Sequence, residues 1–377
     1  LRIVGPNCLG IQKPGLGLNA SFAHTFPKPG SIAFIAQSGA MIAAVLDWAI
    51  PRGIGFSHTV SLGDMADVDF GDMLDYLAND PETSAILLYI EAIGHARKFM
   101  SAARAAARSK PVIVVKAGRF EAGAKAAASH TGALAERDDV YDAAFQRAGM
   151  LRVISLEELF DAVETLATAR MPAGDRLAIL TNGGGTGVLA ADTLISENGQ
   201  LTTLADKTVE RLNQVLPKTW SHGNPIDIVG DATGQRYTDA LKILLEDNNV
   251  DGILILNCPT GLTSSDEAAI AIIDALREKP KKTILTSWVG EHSAREPRTK
   301  LRNQGIPTYQ SPEDAVKAFT QMVNYRRNQA MLIETPPSLP EHFEPKQTVV
   351  KALIEKVIKE KRAWLNEVEA KQALDAY

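Results

Sequence analysis

The chain has 377 residues, 45% of them hydrophobic and 23% charged, with a formal net charge of −5. That length predicts two or three domains with proper cores, and the acidic balance argues against nucleic acid or an anionic membrane as the main partner. No apolar run reaches the ~18 residues of a spanning helix and no signal peptide opens the chain, so a cytoplasmic protein is expected.

In chain order, Gly5-Pro6-Asn7-Cys8-Leu9-Gly10 reads as a turn-rich connector, and Gly15 to Gly30 continues as loop around Pro14, Pro27 and Pro29. Leu1 stands where Met would open a complete chain, and Leu-Arg-Ile-Val reads as a strand end, so a piece of a longer protein is expected. Regular structure starts near Ser31. Strands are predicted at Ile32 to Ala36, Phe56 to Ser61, Ala85 to Glu91, Pro111 to Lys116 and Leu151 to Ile154. Helices are predicted between and after them at Ala40 to Ala49, Phe70 to Leu77, Ala96 to Arg108, Asp138 to Ala148 and Leu156 to Ala169. Continuous apolar strands alternating with helices mean a parallel sheet covered on both faces. A helix from Phe145 to Met150, with Met65, Met73 and Met100, reads as core.

Met171-Pro172-Ala173-Gly174 breaks the pattern, which then restarts. Strands follow at Leu177 to Thr181, Gly252 to Leu256, Thr283 to Trp288 and near Ile306, with helices at Val188 to Glu197, Thr238 to Glu246, Asp266 to Lys279 and Pro312 to Arg326. This is a second parallel-sheet domain. From about Glu334 a linker with Pro336, Pro337 and Pro340 leads to a polar, Lys-rich helical tail that reads as the start of a third domain.

Chemistry concentrates in a few turns. Lys116 to Leu134 is rich in Gly and Ala and ends on Ser129-His130-Thr131-Gly132, where small neighbours cannot bury the ring. Imidazole titrates near ~6.5, so His130 is able to act as nucleophile or base at neutral pH; taken alone it reads as a polar loop histidine. Glu91 closes an apolar strand, where open α/β sheets place ligands. It either accepts the Nδ1–H of His130 and stabilises an imidazolium or caps the next helix. Ala33-Phe-Ile-Ala-Gln-Ser-Gly39 and Ala178-Ile-Leu-Thr-Asn-Gly183 share one plan: strand, polar-glycine turn, apolar helix. Each offers unpaired N–H groups at a helix start, which suits an anion. Asn182-Gly183-Gly184-Gly185-Thr186-Gly187 lacks the Lys of a Walker loop and the GxGxxG spacing, and Gly63-Asp64 and Asn224-Pro225-Ile226-Asp227 read equally as plain turns. Cys8 and Cys258 have no CxxC spacing, so neither a zinc site nor a disulfide framework is suggested.

The ordered set GPNCLG (5–10), AQSGA (36–40), SLGD (61–64), LLYIE (87–91), SHTGAL (129–134), TNGGGTG (181–187) and NPID (224–227) resembles the NDP-forming acyl-CoA synthetases. That superfamily includes succinyl-CoA synthetase and the ADP-forming acetate–CoA ligases, and the resemblance spans nearly the whole chain. It implies an α/β fold of two consecutive flavodoxin-like parallel-sheet domains. The implied map is 1–30 as linker from a missing CoA-binding Rossmann domain, 31–172 as phosphohistidine domain, 173–333 as second ligase domain, and 334–377 as linker and start of a truncated ATP-grasp domain. His130 matches the family's phosphohistidine and Glu91 the glutamate that orients it. Ser38 and Gly39 match the first phosphate-cradling helix start, and Asn182, Gly183, Gly184 and Gly185 the second. Gly63, Asp64 and Asn224 fall near the CoA or acyl substrate, with Asp64 standing where the family often has Asn.

The implied reaction converts acyl-CoA, phosphate and ADP to acid, CoA and ATP, with the Mg2+-nucleotide site in the missing domain and no metal site in this chain. A homo-oligomer is expected by analogy. Residues 87–119, 287–301 and NYRRNQ (324–329) further resemble a bacterial subgroup fused to a C-terminal GNAT domain, the protein lysine acetyltransferases. In some of these the phosphohistidine is lost and the synthetase part senses a ligand or assembles the protein. Here SHTG is kept.

Overall fold

Short apolar runs bounded by Gly, Pro and Asn turns become the strands of two sheets. The computed structural model describes all residues except 121, 124–136, 279, 335–344 and 377. Residues Leu1–Leu332 form one compact unit and Ile333–Tyr377 a second.

The first sheet has seven strands: β1 (Gly10–Lys13), β2 (Leu18–Ser21), β3 (Pro29–Ala36), β4 (Phe56–Ser61), β5 (Ala85–Ile90), β6 (Val112–Lys116) and β7 (Leu151–Val153), in the order β2-β1-β4-β3-β5-β6-β7. From β4 to β7 all pairs are parallel. The helices are α1 (Gly39–Arg52), α2 (Phe70–Ala78), α3 (Ala96–Ser109), α4 (Asp138–Arg147) and α5 (Leu156–Thr168). They cover both faces, with Ala33, Ile35, Ile86 and Leu88 in one core and Phe34, Ala36, Leu87 and Ile113 in the other. This explains strands without polar alternation.

The second sheet contains β8 (Arg176–Thr181), β9 (Gln200–Leu201), β10 (Ile226–Asp227), β11 (Gly252–Asn257), β12 (Thr283–Trp288) and β13 (Thr308–Tyr309). Its order is β10-β8-β11-β12-β13 with β9 also on β8, and every pair is parallel. Its helices are α6 (Gly184–Ser196), α7 (Asp206–Val215), α8 (Gly234–Glu246), α9 (Ser265–Ala275), α10 (Arg295–Asn303) and α11 (Pro312–Ile333). Read from β3 and from β8, both sheets follow the flavodoxin-like order 2-1-3-4-5.

Three expectations are corrected. The stretch read as loop after Gly10 carries β1 and β2, an antiparallel hairpin joined by a 3-10 turn at Pro14–Leu16 and added to the edge of β4. Buried Gln12 fixes it there, accepting from Thr59 Oγ1 at 2.9 Å; a short polar hairpin has little periodicity to read. The helices α7 and α10 and the two-residue strands β9 and β10 are likewise absent from the sequence pattern. The helix near Phe145 ends at Arg147, because Gly149 takes φ +76° and turns the chain, while Met150 is fully buried.

One helix ties the two sheets together. Ala315, Val316, Phe319 and Met322 of α11 sit in the second core, while Leu332 near its end sits in the first. Asn328 Nδ2 donates to Met150 O at 2.7 Å and Gln329 Nε2 to Gly149 O at 2.7 Å, so the NYRRNQ segment is a structural join. In the 287–301 stretch, Arg298 is buried and pairs with Glu291 at 2.7 Å. In the second unit, α12 (Gln347–Lys359) and α13 (Glu367–Asp375) pack together, with Arg362 gripping Glu369 at 2.7 and 2.8 Å. No helix of the described residues is long and apolar enough to cross a membrane.

Candidate active site

In a doubly wound sheet the crevice for a ligand opens where the winding reverses, at the carboxyl ends of the strands. Here that means the ends of β3 and β5 in the first sheet, and of β8 and β11 in the second. Most of the described residues singled out from the sequence gather at these two places.

At the first, Asn7, Gln37, Ser38, Gly39, Gly63, Asp64 and Glu91 line a cavity of ≈ 280 Å³. Ser38 is the N-cap of α1, its hydroxyl accepting from Met41 N at 3.4 Å. The N–H groups of the first helical turn behind it have no i−4 acceptor and present the positive end of a 14-residue helix. Gly63 lies at φ +56°, and a Cβ there would stand 2.1 Å from Pro6 O. That close approach docks the GPNCLG segment: Asp64 N donates to Pro6 O at 3.0 Å and Asn7 Nδ2 to Asp64 Oδ1 at 3.2 Å.

Sequence reading missed the part Gln37 plays here. Its side chain is buried, and its Oε1 accepts from Glu91 N at 3.1 Å and Ala92 N at 3.0 Å. It thereby holds the chain leaving β5 and sets where Glu91 stands. The helix-capping alternative for Glu91 does not hold, since α3 begins after His95 without a side-chain cap. Next to Glu91, burial first and then the Glu91 carboxylate push the Tyr89 phenol up, keeping it protonated.

At the second place, Asn182 performs the corresponding clasp. Its Oδ1 accepts from Cys258 N at 2.7 Å and its Nδ2 donates to Cys258 O at 2.9 Å, joining the ends of β8 and β11. Thr181 Oγ1 accepts from Gly183 N at 3.0 Å, and Thr186 Oγ1 donates to Gly183 O at 2.8 Å. The glycines then permit close approach: a Cβ on Gly184 would meet Asp227 Oδ2 at 2.9 Å, whereas one on Gly185 would meet nothing within 4 Å. A carboxylate therefore already borders this helix start, and an anion has room on the Gly185 side. Asp227 is in turn braced by Val229 N at 2.9 Å, where Val229 takes φ +71°, a strained setting for a β-branched residue.

The structure thus groups Ser38, Gly39, Gly63, Asp64 and Glu91 in one cavity and Asn182 to Gly185 around Cys258 and Asp227. Asn224 has a different occupation. Its amide bonds Ile179 N, Leu177 O and Thr202 O at 2.9 to 3.0 Å, bracing β8. His130 lies outside the described residues. The Gln37 contacts could have been suspected from the sequence, because Gln37 and Asn182 fill the same slot in the repeated plan.

The succinyl-CoA ligase like flavodoxin domain family matches residues 29–166 and the CoA-ligase family residues 184–322. The chain is 42% identical over 327 residues to ADP-forming acetate–CoA ligase I of Archaeoglobus fulgidus, covering 87% of this chain and 46% of that protein. It is 41% identical over 333 residues to the alpha subunit of ADP-forming acetate–CoA ligase II of Pyrococcus furiosus, covering 87% of this chain and 72% of the subunit. Among solved structures, it is similar to Ca. Korarchaeum cryptofilum dinucleotide forming acetyl-coenzyme A synthetase 1 in complex with phosphate and ADP. That match has a TM-score of 0.80 and 35% identity, over 90% of this chain and 74% of that one. The chain therefore spans about half the length of the first relative and nearly three quarters of the separate subunit. At 41% identity to a ligase alpha subunit of which it covers 72%, the chain belongs to the ADP-forming acetate–CoA ligase family.

Proposed function

We propose that the chain is the core of an ADP-forming acyl-CoA synthetase acting through a phosphohistidine at His130. Phosphate attacks the thioester carbonyl, releasing CoA as its thiol and leaving an acyl phosphate. The His130 imidazole then attacks phosphorus and the carboxylate departs. The phosphoryl group passes from His130 to ADP, giving ATP and the free imidazole. Glu91 would accept the far ring N–H and stabilise the charged imidazole. The starts of α1 at Ser38-Gly39 and of α6 at Asn182 to Gly185 would offset charge on the phosphoryl group in turn. Gly63 and Asp64, close to the docked GPNCLG segment, would face the acyl-CoA; Asn224 would serve this site through the position of β8.

The observation that carries this reading is the repeated arrangement of helix start and amide clasp at both winding reversals, in a chain 41% identical to a ligase alpha subunit over most of its length. In the same reading residues 1–30 link from a CoA-binding domain, 31–172 carry the phosphohistidine, 173–333 form the second ligase domain, and 334–377 open an ATP-grasp domain holding Mg2+-nucleotide. A cytoplasmic homo-oligomer fits the family. The resemblance to GNAT-fused acetyltransferases supports a competing role, a sensor without turnover.

The test uses the complete protein with acetyl-CoA, phosphate and ADP, following ATP and free thiol together. Stoichiometric ATP and thiol are expected, with ATP formation abolished in His130→Ala; CoA binding without either product in the wild type would favour the sensor.

A further inference from the structure

The two amide clasps differ in one respect. Asn182 uses both ends of its carboxamide, Oδ1 and Nδ2, on the backbone of Cys258. Gln37 uses only one. Both of its partners, Glu91 N and Ala92 N, are donors, so the atom facing them must be the oxygen, which settles which way the amide points. The nitrogen is thereby turned away from the β5 end. Its two N–H groups have no acceptor among the described residues, although Gln37 is only 6% exposed and lines the ≈ 280 Å³ cavity.

With most of the side chain buried and the residue lining the cavity, the amide nitrogen finds its acceptor on the cavity side, from water or from an entering ligand. Among the described residues its lining holds two carboxylates, Asp64 and Glu91, and neither Lys nor Arg. Among the described lining, an entering oxyanion meets neutral donors: the first-turn N–H groups of α1, the Ser38 hydroxyl, and the free side of Gln37. In such a site each neutral donor has large leverage.

We propose that the two ends of the Gln37 amide act separately, Oε1 positioning Glu91 while Nε2 donates to an oxygen of the phosphoryl group seated at the start of α1. This rests on the phosphate-site reading above and adds to it a specificity residue for phosphate. Losing one hydrogen bond to a charged oxygen weakens binding roughly ten- to a hundredfold. Gln37→Met removes the donor without adding charge, and Gln37→Glu keeps an acceptor for Glu91 N and Ala92 N while replacing the donor.

The experiment is a 31P NMR titration of the complete protein with inorganic phosphate, alongside steady-state kinetics of acetyl-CoA phosphorolysis. Both variants should raise the phosphate Kd and KM at least tenfold and leave the KM for acetyl-CoA near wild type, with only Gln37→Met also lowering kcat. Thermal melts check folding, and either variant alone suffices for the phosphate measurement. Wild-type phosphate affinity in a folded variant would overturn the proposal while leaving the site reading intact. A wild-type protein that binds no phosphate would overturn both.

Discussion

Gln37 and Asn182 stand one residue past β3 and β8 respectively, and each reaches across the winding reversal to fasten the chain leaving the neighbouring strand, β5 in one sheet and β11 in the other. The two halves of the molecule thus repeat a device as well as a fold. The device puts a helix start, a strand end and a small-residue turn within reach of one another.

For Asn182 this predicts a structural cost. The side chain is 3% exposed and makes two bonds to one neighbouring residue. Asn182→Ala leaves Cys258 N and O without partners and should lower stability by about 2–4 kcal/mol. Asn182→Asp keeps the acceptor but turns a carboxylate oxygen toward a carbonyl, and should cost at least as much. Urea denaturation of both variants reads this directly; a loss under about 0.5 kcal/mol would show that the clasp contributes little to holding β8 and β11 together.

Gly63 makes the second prediction. A methyl group there would meet Pro6 O at 2.1 Å and Asn7 O at 2.5 Å, at a backbone φ of +56°. Gly63→Ala therefore has to displace the 3–7 segment, with strain of about 1–3 kcal/mol. Faster hydrogen exchange at Asp64 N and Ala66 N, which donate to Pro6 O and Gly5 O, is the expected signature. Unchanged exchange there would contradict the docking argument.

A third prediction concerns pH. Asp161 lies in a cleft of ≈ 610 Å³ between α5 and the β13–α11 segment, beside Arg52, Arg302 and Tyr309. Burial first, then the carboxylates of Glu157, Asp314, Glu164 and Glu158, push its carboxyl up to about 7. The folded state therefore binds this proton more tightly than the unfolded chain, where a carboxyl titrates near ~3.9. The stabilisation is complete below the unfolded value and is lost as pH rises through about 7. Asp161→Asn should leave stability at pH 4 nearly unchanged and raise it at pH 8, flattening the profile of urea midpoints. A wild-type profile flat from pH 5 to 8 would contradict the assignment.

Asp227 supplies a fourth. Its Oδ2 stands beside Gly184 at the start of α6, where it opposes an arriving phosphoryl group. Asp227→Asn removes that charge and should tighten phosphate binding roughly two- to fivefold, the scale of one charge at a helix end. Calorimetry with inorganic phosphate on the complete protein would show it, and weaker binding would mean that the carboxylate helps order the turn.

Much of this was legible in the sequence, and the reasons are particular. Long apolar strands such as Ala85–Ile90 and Gly252–Asn257 are buried on both faces, so their composition alone announces a parallel sheet. Two-residue strands such as Ile226–Asp227 are held by register with β8 and carry no pattern of their own. The cavity residues were legible as turns because glycine and a cap residue are needed there for backbone reasons. Gln37 was legible only through the slot it shares with Asn182 in the repeated plan, since a glutamine after a strand carries no local signal; its reach to Glu91 N, 54 positions on, is what defines its part. Asn224 is the converse case, as its place beside a turn hid three bonds to backbone groups.

The central claim is that His130 carries a phosphoryl group. Incubating the complete protein with ATP and Mg2+, then mapping the modified peptide by mass spectrometry at alkaline pH, tests it most directly. The account predicts an acid-labile, base-stable phosphate on His130, absent in His130→Ala and strongly reduced in Glu91→Gln. A wild-type protein that binds nucleotide yet leaves His130 unmodified would contradict it.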